Sequence, residues 1–528
     1  MPDVIRFSGE AVSCPFQDLA GVRLVRENSL FDRRYNAMLG NIRLLWLTAL
    51  LVAWLPAAPA TAAIEFFGTA KIKPTFYDNF DFNDGKNDAF IINEGGLTGD
   101  QHIRAELRLG WKAAGERWSV KMIAEADVIM EKDSADRSYY SGATSYEGKP
   151  NSGGEFGIER AELLYRFFPW LELETGWDVR ALDIGSGGLL FGDDHPFLGF
   201  RGDLTDALSY ELLYLPIQNR NSLPTADDDG KYLRSPDADD WRVYTLKLVQ
   251  DMGGKSAALP QHALFGNSSG ENNILSMALS PVYAFSDNDS AQARIHYFGL
   301  EATGQAGWFK PYFEVMAADG EFDNGRDISA WAMFAGLEVL MNKAFNPYVA
   351  FRYTQGDDDA SDDDVEGWVG IGDIGRYTPL LGMDGNILGE DLGQSYGATL
   401  YSYSPERAFR TNRYGGIGNG GSGDNPGQKL IAVGTRGDLA AILPGLMYKT
   451  QAFFIWYDET ANLINTRKPG EKVDDYAGTT FDLQLLYAFN KNFSIDYIFS
   501  TFVPGDGIKD QFGDDPAFVN CLTLAWTY

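Results

Sequence analysis

FVNCLTLAWTY (residues 518–528) alternates with a period of two. Phe518, Asn520, Leu522, Leu524, Trp526 and Tyr528 share one face, and Val519, Cys521, Thr523, Ala525 and Thr527 share the other. A mostly apolar terminal strand with an open edge invites aggregation, and free termini fray. The stretch makes sense if both of its edges are paired and its apolar face meets lipid.

The same pattern recurs along the chain. In QHIRAELRLGW (101–111), Ile103, Ala105, Leu107, Leu109 and Trp111 oppose His102, Arg104, Glu106 and Arg108. WLELETGWDVRA (170–181) sets Leu171, Leu173, Trp177 and Val179 against Glu172, Glu174, Asp178 and Arg180. TFDLQLLYAF (480–489) and FSIDYIFSTF (493–502) repeat it. Alternating segments of roughly ten residues with charge on the polar face are the signature of a membrane β-barrel, with lipid outside and water inside. No helix-period segment of useful length competes with that reading.

Connections alternate between short ones, such as FPW (168–170), LPG (443–445) and FNKN (489–492), and long acidic ones, such as 131–154, 217–239 and 458–475. Short periplasmic turns and long external loops are the habit of outer-membrane barrels. Walking the chain with that parity predicts an all-β fold, a single transmembrane antiparallel β-barrel. It has about 18 strands (16–20) between residues 64 and 528, with both termini periplasmic. The last strand is expected to close the wall against the first. Two connections depart from the scheme: a longer periplasmic one at 251–272 and a long external loop at 356–428. A hairpin hidden in 387–403 would raise the count to twenty.

At the other end, MLGNIRLLWLTALLVAWLPAAPATAAIEFF (38–67) has Arg43, an apolar run and a small-x-small site at Ala60-Thr61-Ala62. This predicts a signal peptide over 38–62, a mature barrel from 63 to 528, and a mis-called or disordered leader over 1–37. The run is too short for a comfortable membrane span, which needs roughly 20 residues. The whole chain has 44 basic and 74 acidic residues, a net charge of −30. That excludes nucleic acid as a partner, since phosphate binding needs a basic surface. Cys14 lies in the leader, so Cys521 is alone in the mature chain and no internal disulfide is available.

A barrel of this width encloses an aqueous channel. Its polar positions carry a series of arginines, namely Arg104, Arg108, Arg160, Arg166, Arg180, Arg201, Arg242, Arg294 and Arg352. Glu106, Glu125, Asp127, Glu162, Glu172, Glu174, Asp178 and Glu211 are interleaved with them. Guanidinium forks suit carboxylates and phosphates, and rings of Arg line anion-conducting pores. The expectation is an anion pathway along these arginines. The plainer alternative is that Arg–Glu pairs across neighbouring strands satisfy each other.

The segment GTTFDLQLLYAFNKNFSIDYIFSTFVPGDG (478–507) resembles the penultimate hairpin of the alginate-export family of outer-membrane porins. The likeness rests on Asp482, the Asn490–Asn492 turn, and an aromatic strand ending in Phe502, Pro504 and Gly505. It implies passive transport of an anionic polysaccharide or related acid, an outer-membrane location and no cofactor. The partners so implied are outer-membrane lipid and lipopolysaccharide, the anionic solute, and the barrel assembly machinery, whose C-terminal signal the final aromatic resembles.

Three other classes were weighed. A general diffusion porin would show no marked selectivity. A sheath for an electron-transfer cytochrome would bring haem on the partner, since the mature chain has no CxxCH. An enzyme needs a nucleophile, base and orienting group; His102, His195, His262 and His296 mark out no such set, and HExxH is absent. The acidic runs TADDDG (225–230), FGDDHP (191–196) and GDDDASDDDVEG (356–367) lack EF-hand spacing and read as solvated loops rather than Ca²⁺ sites.

Overall fold

The computed structural model describes residues 64–79, 82, 101–129, 155–183, 185–219, 240–253, 276–289, 291–372, 378–383 and 425–528. The expected signal peptide and leader, the hairpin expected at 387–403 and residues 254–272 of the longer turn lie outside them.

Period-two alternation without helix signals becomes one antiparallel wall. Its strands are β1 (Ile64–Asp78), β2 (Gln101–Ala114), β3 (Trp118–Ile129), β4 (Glu155–Phe168), β5 (Leu171–Ala181) and β6 (Gly192–Asp203). Then come β7 (Leu208–Asn219), β8 (Asp240–Asp251), β9 (Ser276–Asn288), β10 (Ala293–Gln305), β11 (Phe309–Phe322), β12 (Asp327–Val339) and β13 (Asn346–Thr354). A two-residue strand, β14 (Asp364–Val365), pairs parallel to β12 and stands outside the wall. β15 (Gln428–Asp438), β16 (Leu446–Trp456), β17 (Tyr476–Ala488), β18 (Phe493–Pro504) and β19 (Ala517–Thr527) complete it, with one short helix, α1 (Asp506–Gln511), in the last loop.

β1 pairs with both β2 and β19, so the wall closes at 18 strands with no free edge. Because β13 pairs directly with β15, the wall has no place for a further hairpin between them. At the seam Tyr528 and Gly68 exchange backbone hydrogen bonds of 3.1 and 3.2 Å. Gly68 is required there, since a Cβ would stand 2.3 Å from the Tyr528 ring. The terminal stretch thus pairs on both sides, with Trp526 exposed on the outer face. The predicted strands reappear with ends shifted by a few residues. β6 starts at Gly192, so most of the acidic FGDDHP run is strand rather than loop.

Outward positions are apolar and exposed, for example Leu107, Leu109, Trp177, Phe298, Trp331 and Val349. With no water to satisfy them, only helices and closed barrels cross a bilayer. This closed wall with an apolar exterior places the chain in the outer membrane. The inner face has two characters. On β1–β6 it is ionic. On β8–β13 it is apolar, with Val243, Ala284, Ile295, Tyr297, Met316 and Phe334 all buried.

The apolar half is covered by two segments that fold in from the rim opposite the termini. Residues 182–191, between β5 and β6, are tied by Asp183, which accepts from Leu190 N (2.6 Å) and Phe191 N (3.0 Å). They dock on β11 where Glu314 accepts from Ser186 Oγ (2.7 Å) and Gly187 N (2.8 Å). Part of the 356–428 loop docks beside them. Trp368 Nε1 donates to Leu189 O (3.3 Å), Ile371 N to Leu190 O (2.7 Å), and Tyr297 OH to Val369 O (3.2 Å). The described parts of the long loop, 356–372 and 378–383, therefore form an internal partition.

Candidate functional site

The ionic half of the lumen is a chain of salt bridges. Arg166 and Arg201 both hold Glu172, at 3.0 and 2.5 Å. Arg201 and Arg180 both hold Glu174 at 3.3 Å. Arg180 reaches Glu162 at 2.7 Å, and Lys121 joins Glu162 (3.3 Å) to Asp178. Asp178 pairs with Arg160 at 3.3 Å, and Arg160 lies 3.8 Å from Glu159. Arg108 then binds Glu159 (2.9 Å), Glu125 and Glu106 (3.3 Å), and Lys71 ends the chain on Glu106 at 2.8 Å.

Local structure explains the continuity. A β-bulge between Ile123 and Ala124 leaves Glu159 without a partner residue on β3, so Glu159 and Arg160 join the same ionic row although they are adjacent in sequence. Arg180 is further held by the Phe197 ring, whose centroid lies 3.7 Å from the guanidinium carbon.

The chain balances seven cations against seven carboxylates, but not in exposure. Arg166 is 61% exposed and Arg201 41%, while Glu172 beneath them is 10% exposed. Lys121 is 31% exposed over Asp178 at 6%, and Arg108 26% over Glu106 at 4%. The carboxylates lie against the wall and the cationic heads meet the lumen water. Arg180 and Arg160 are the buried exceptions.

Of the nine arginines expected to line the path, Arg108, Arg160, Arg166, Arg180 and Arg201 belong to this chain. Arg104 continues the inward row of β2 opposite Lys73. Arg352 faces inward on the apolar side, between Phe334 and Leu430, with its Nε buried and unbonded. Arg242 and Arg294 are corrections. Trp241, Val243 and Thr245 on β8, and Ala293, Ile295 and Tyr297 on β10, are the buried parity, so both arginines point outward. There they pair near the rim with Asp240 and with Asp287 (3.5 Å). The expectation failed because the rim-side halves of these strands, beyond Lys247 and Glu301, are apolar inside as well as outside, and a charge there does not mark the lumen.

Sequence reasoning left out Lys71, Lys121, Lys247, Arg436 and Lys449. Lys247 bonds Glu301 (2.7 Å), and Arg436 grips Glu338 through two 2.7 Å bonds. The signal was present in the alternation of YKTQAFF (448–454), where Lys449 and Gln451 share a face.

The acidic run at 357–366 organises its own turn. Asp357 accepts from Glu366 N (3.1 Å) and Asn462 Nδ2 (3.1 Å). Ser361 donates to Asp359 through both its amide and its hydroxyl, which lowers the Asp359 carboxyl below the ordinary range. Among the described residues no group of three or more His, Cys, Asp or Glu is placed to hold a metal ion.

No protein-family model and no characterised relative matches the chain. Among solved structures it is similar to Acinetobacter baumannii OccAB4, at 14% identity and TM-score 0.49, covering 89% of this chain and 100% of that one. It is also similar to Pseudomonas aeruginosa OccK2 (OpdF) in complex with glucuronate, at 10% identity and TM-score 0.49, covering 88% and 97%. Pseudomonas aeruginosa OpdK with vanillate gives 10% identity, TM-score 0.49, and 88% and 98% coverage. Likeness at this level extends to the fold at most. The chain's own closed wall and apolar exterior define its class, an outer-membrane β-barrel.

Proposed function

We propose that the channel conducts anionic solutes along the salt-bridge chain on β1–β6, with the termini on the periplasmic side. The observation that carries this is the asymmetry of exposure, with cationic heads in the water and carboxylates behind them. A passing carboxylate meets guanidinium forks first, and bidentate exchange between wall and solute carboxylates offers successive subsites. The acidic saccharides implied by the alginate-export resemblance belong to this solute class. The docked partition favours short uronates over a polymer, and it fills the lumen space that a sheathed partner would need.

Reversal potential in a KCl gradient across a planar bilayer tests the reading, followed by titration with galacturonate and a neutral sugar. Chloride preference with selective block by the uronate is expected. Cation preference or no selectivity would reduce the arginines to wall-building pairs in a general porin.

A further inference from the structure

Arg436 on β15 and Lys449 on β16 are direct cross-strand partners, and both side chains point inward. Like charges in that position repel. Of the two carboxylates near the pair, Glu338 is gripped by Arg436 through both oxygens at 2.7 Å, and Asp482 accepts from Gln451 Nε2 at 2.9 Å. Lys449 is 2% exposed, and among the described residues no carboxylate forms a salt bridge with it. Its ammonium donates instead to peptide carbonyls of the partition, Gly382 O and Pro379 O (3.5 Å). Arg436 Nη1 also donates to Pro379 O (3.1 Å), and Gln451 Nε2 to Leu381 O (3.2 Å). Three side chains of the wall thus hold residues 379–382 entirely through backbone oxygens.

We infer that Lys449 and Arg436 form a carboxylate-binding subsite that residues 379–382 occupy with their own carbonyls, and that a carboxylate solute displaces the segment. A buried ammonium facing neutral carbonyls keeps an uncompensated charge, which a carboxylate in their place would pair. The segment is therefore a self-ligand, and solute binding and opening of the partition are one exchange. This rests on the anion-path reading above.

The test uses the exported chain in detergent and in bilayers, with galacturonate as probe. Met383, 1% exposed at the end of the segment, is changed to Cys in a Cys521→Ser background and labelled with a maleimide. Galacturonate is expected to raise the labelling rate several-fold, with a half-effect at the concentration that blocks the channel. Block in a Lys449→Met variant is expected to weaken about tenfold or more, with Lys449→Arg restoring it. Labelling that stays flat at blocking concentrations would overturn the inference and leave the contact a fixed anchor. Equal block in Lys449→Met and the parent chain would also overturn it. The labelling arm keeps Lys449, so it decides the matter even where a lysine variant fails to fold. Cation preference of the parent channel in a KCl gradient would instead refute the anion path itself.

Discussion

Replacing both exposed arginines of the chain, Arg166→Gln with Arg201→Gln, gives the sharpest prediction about selectivity. These two heads cap Glu172, and Arg201 also caps Glu174. The double variant removes two positive charges from the lumen surface and uncovers a carboxylate. In water, one unit charge about 5 Å from a passing ion is worth about 0.8 kcal/mol. Two such charges give about 1.7 kcal/mol, which screening over a Debye length of about 10 Å at 0.1 M salt reduces to about 1 kcal/mol. Chloride permeability should therefore fall about fivefold and potassium permeability rise about as much, so that their ratio falls about thirtyfold. It is read as a shift of reversal potential toward the cation side in a KCl gradient, larger at low salt. Lys468→Gln with Lys509→Gln removes the same charge from rim pairs outside the lumen and should leave the potential in place. A double variant with unchanged or greater chloride preference would refute the exposure argument, since the exposed cationic heads would then be irrelevant to a passing ion.

Glu338→Gln removes the charge that pairs Arg436 and one of its two 2.7 Å acceptors, and should cost about 3–5 kcal/mol, read as a lowered urea midpoint of the detergent-refolded barrel. An unmoved midpoint would show the pair to be dispensable. Gly187→Val places a Cβ 2.4 Å from that of Phe334, so residues 182–191 should lift from β11 and single-channel conductance should rise. Unaltered conductance would mean that this segment does not limit the pore. Glu366, at the rim, is held above the ordinary glutamate range by burial, then by Asp358, Asp357, Asp364 and Asp362. The folded rim binds that proton more tightly than the unfolded chain does. The ionised form therefore costs stability at neutral pH, and the cost fades as pH falls through the raised pKa. Amide protection over 357–366, corrected for intrinsic exchange, should be higher at about pH 5 than at about pH 7; equal protection at both would refute the coupling.

Strand count, closure and the outward faces of β2, β5 and β19 were determined by the sequence alone. Period two is a local property of the backbone, and an apolar terminal strand with two edges has few solutions other than a closed wall. The interleaving of Arg with Glu was equally legible on β2, β4 and β5. Which of them touch was not, because pairing across strands depends on register and on the bulge that admits both Glu159 and Arg160 to the row.

Three features were decided only by the tertiary structure. Arg242 and Arg294 lie outside the lumen because the rim-side halves of β8 and β10 are apolar inside as well as outside, and parity then has to come from what packs against them. Residues 182–191 and the described parts of the 356–428 loop cover that apolar half, since apolar surface inside a wet barrel must be buried by something. The pairing of Arg436 with Lys449 depends on the register of the β15–β16 hairpin, and the partition that meets them comes from a loop that composition alone marked as solvated. Local alternation builds the wall, whereas what fills it depends on contacts that no local period encodes.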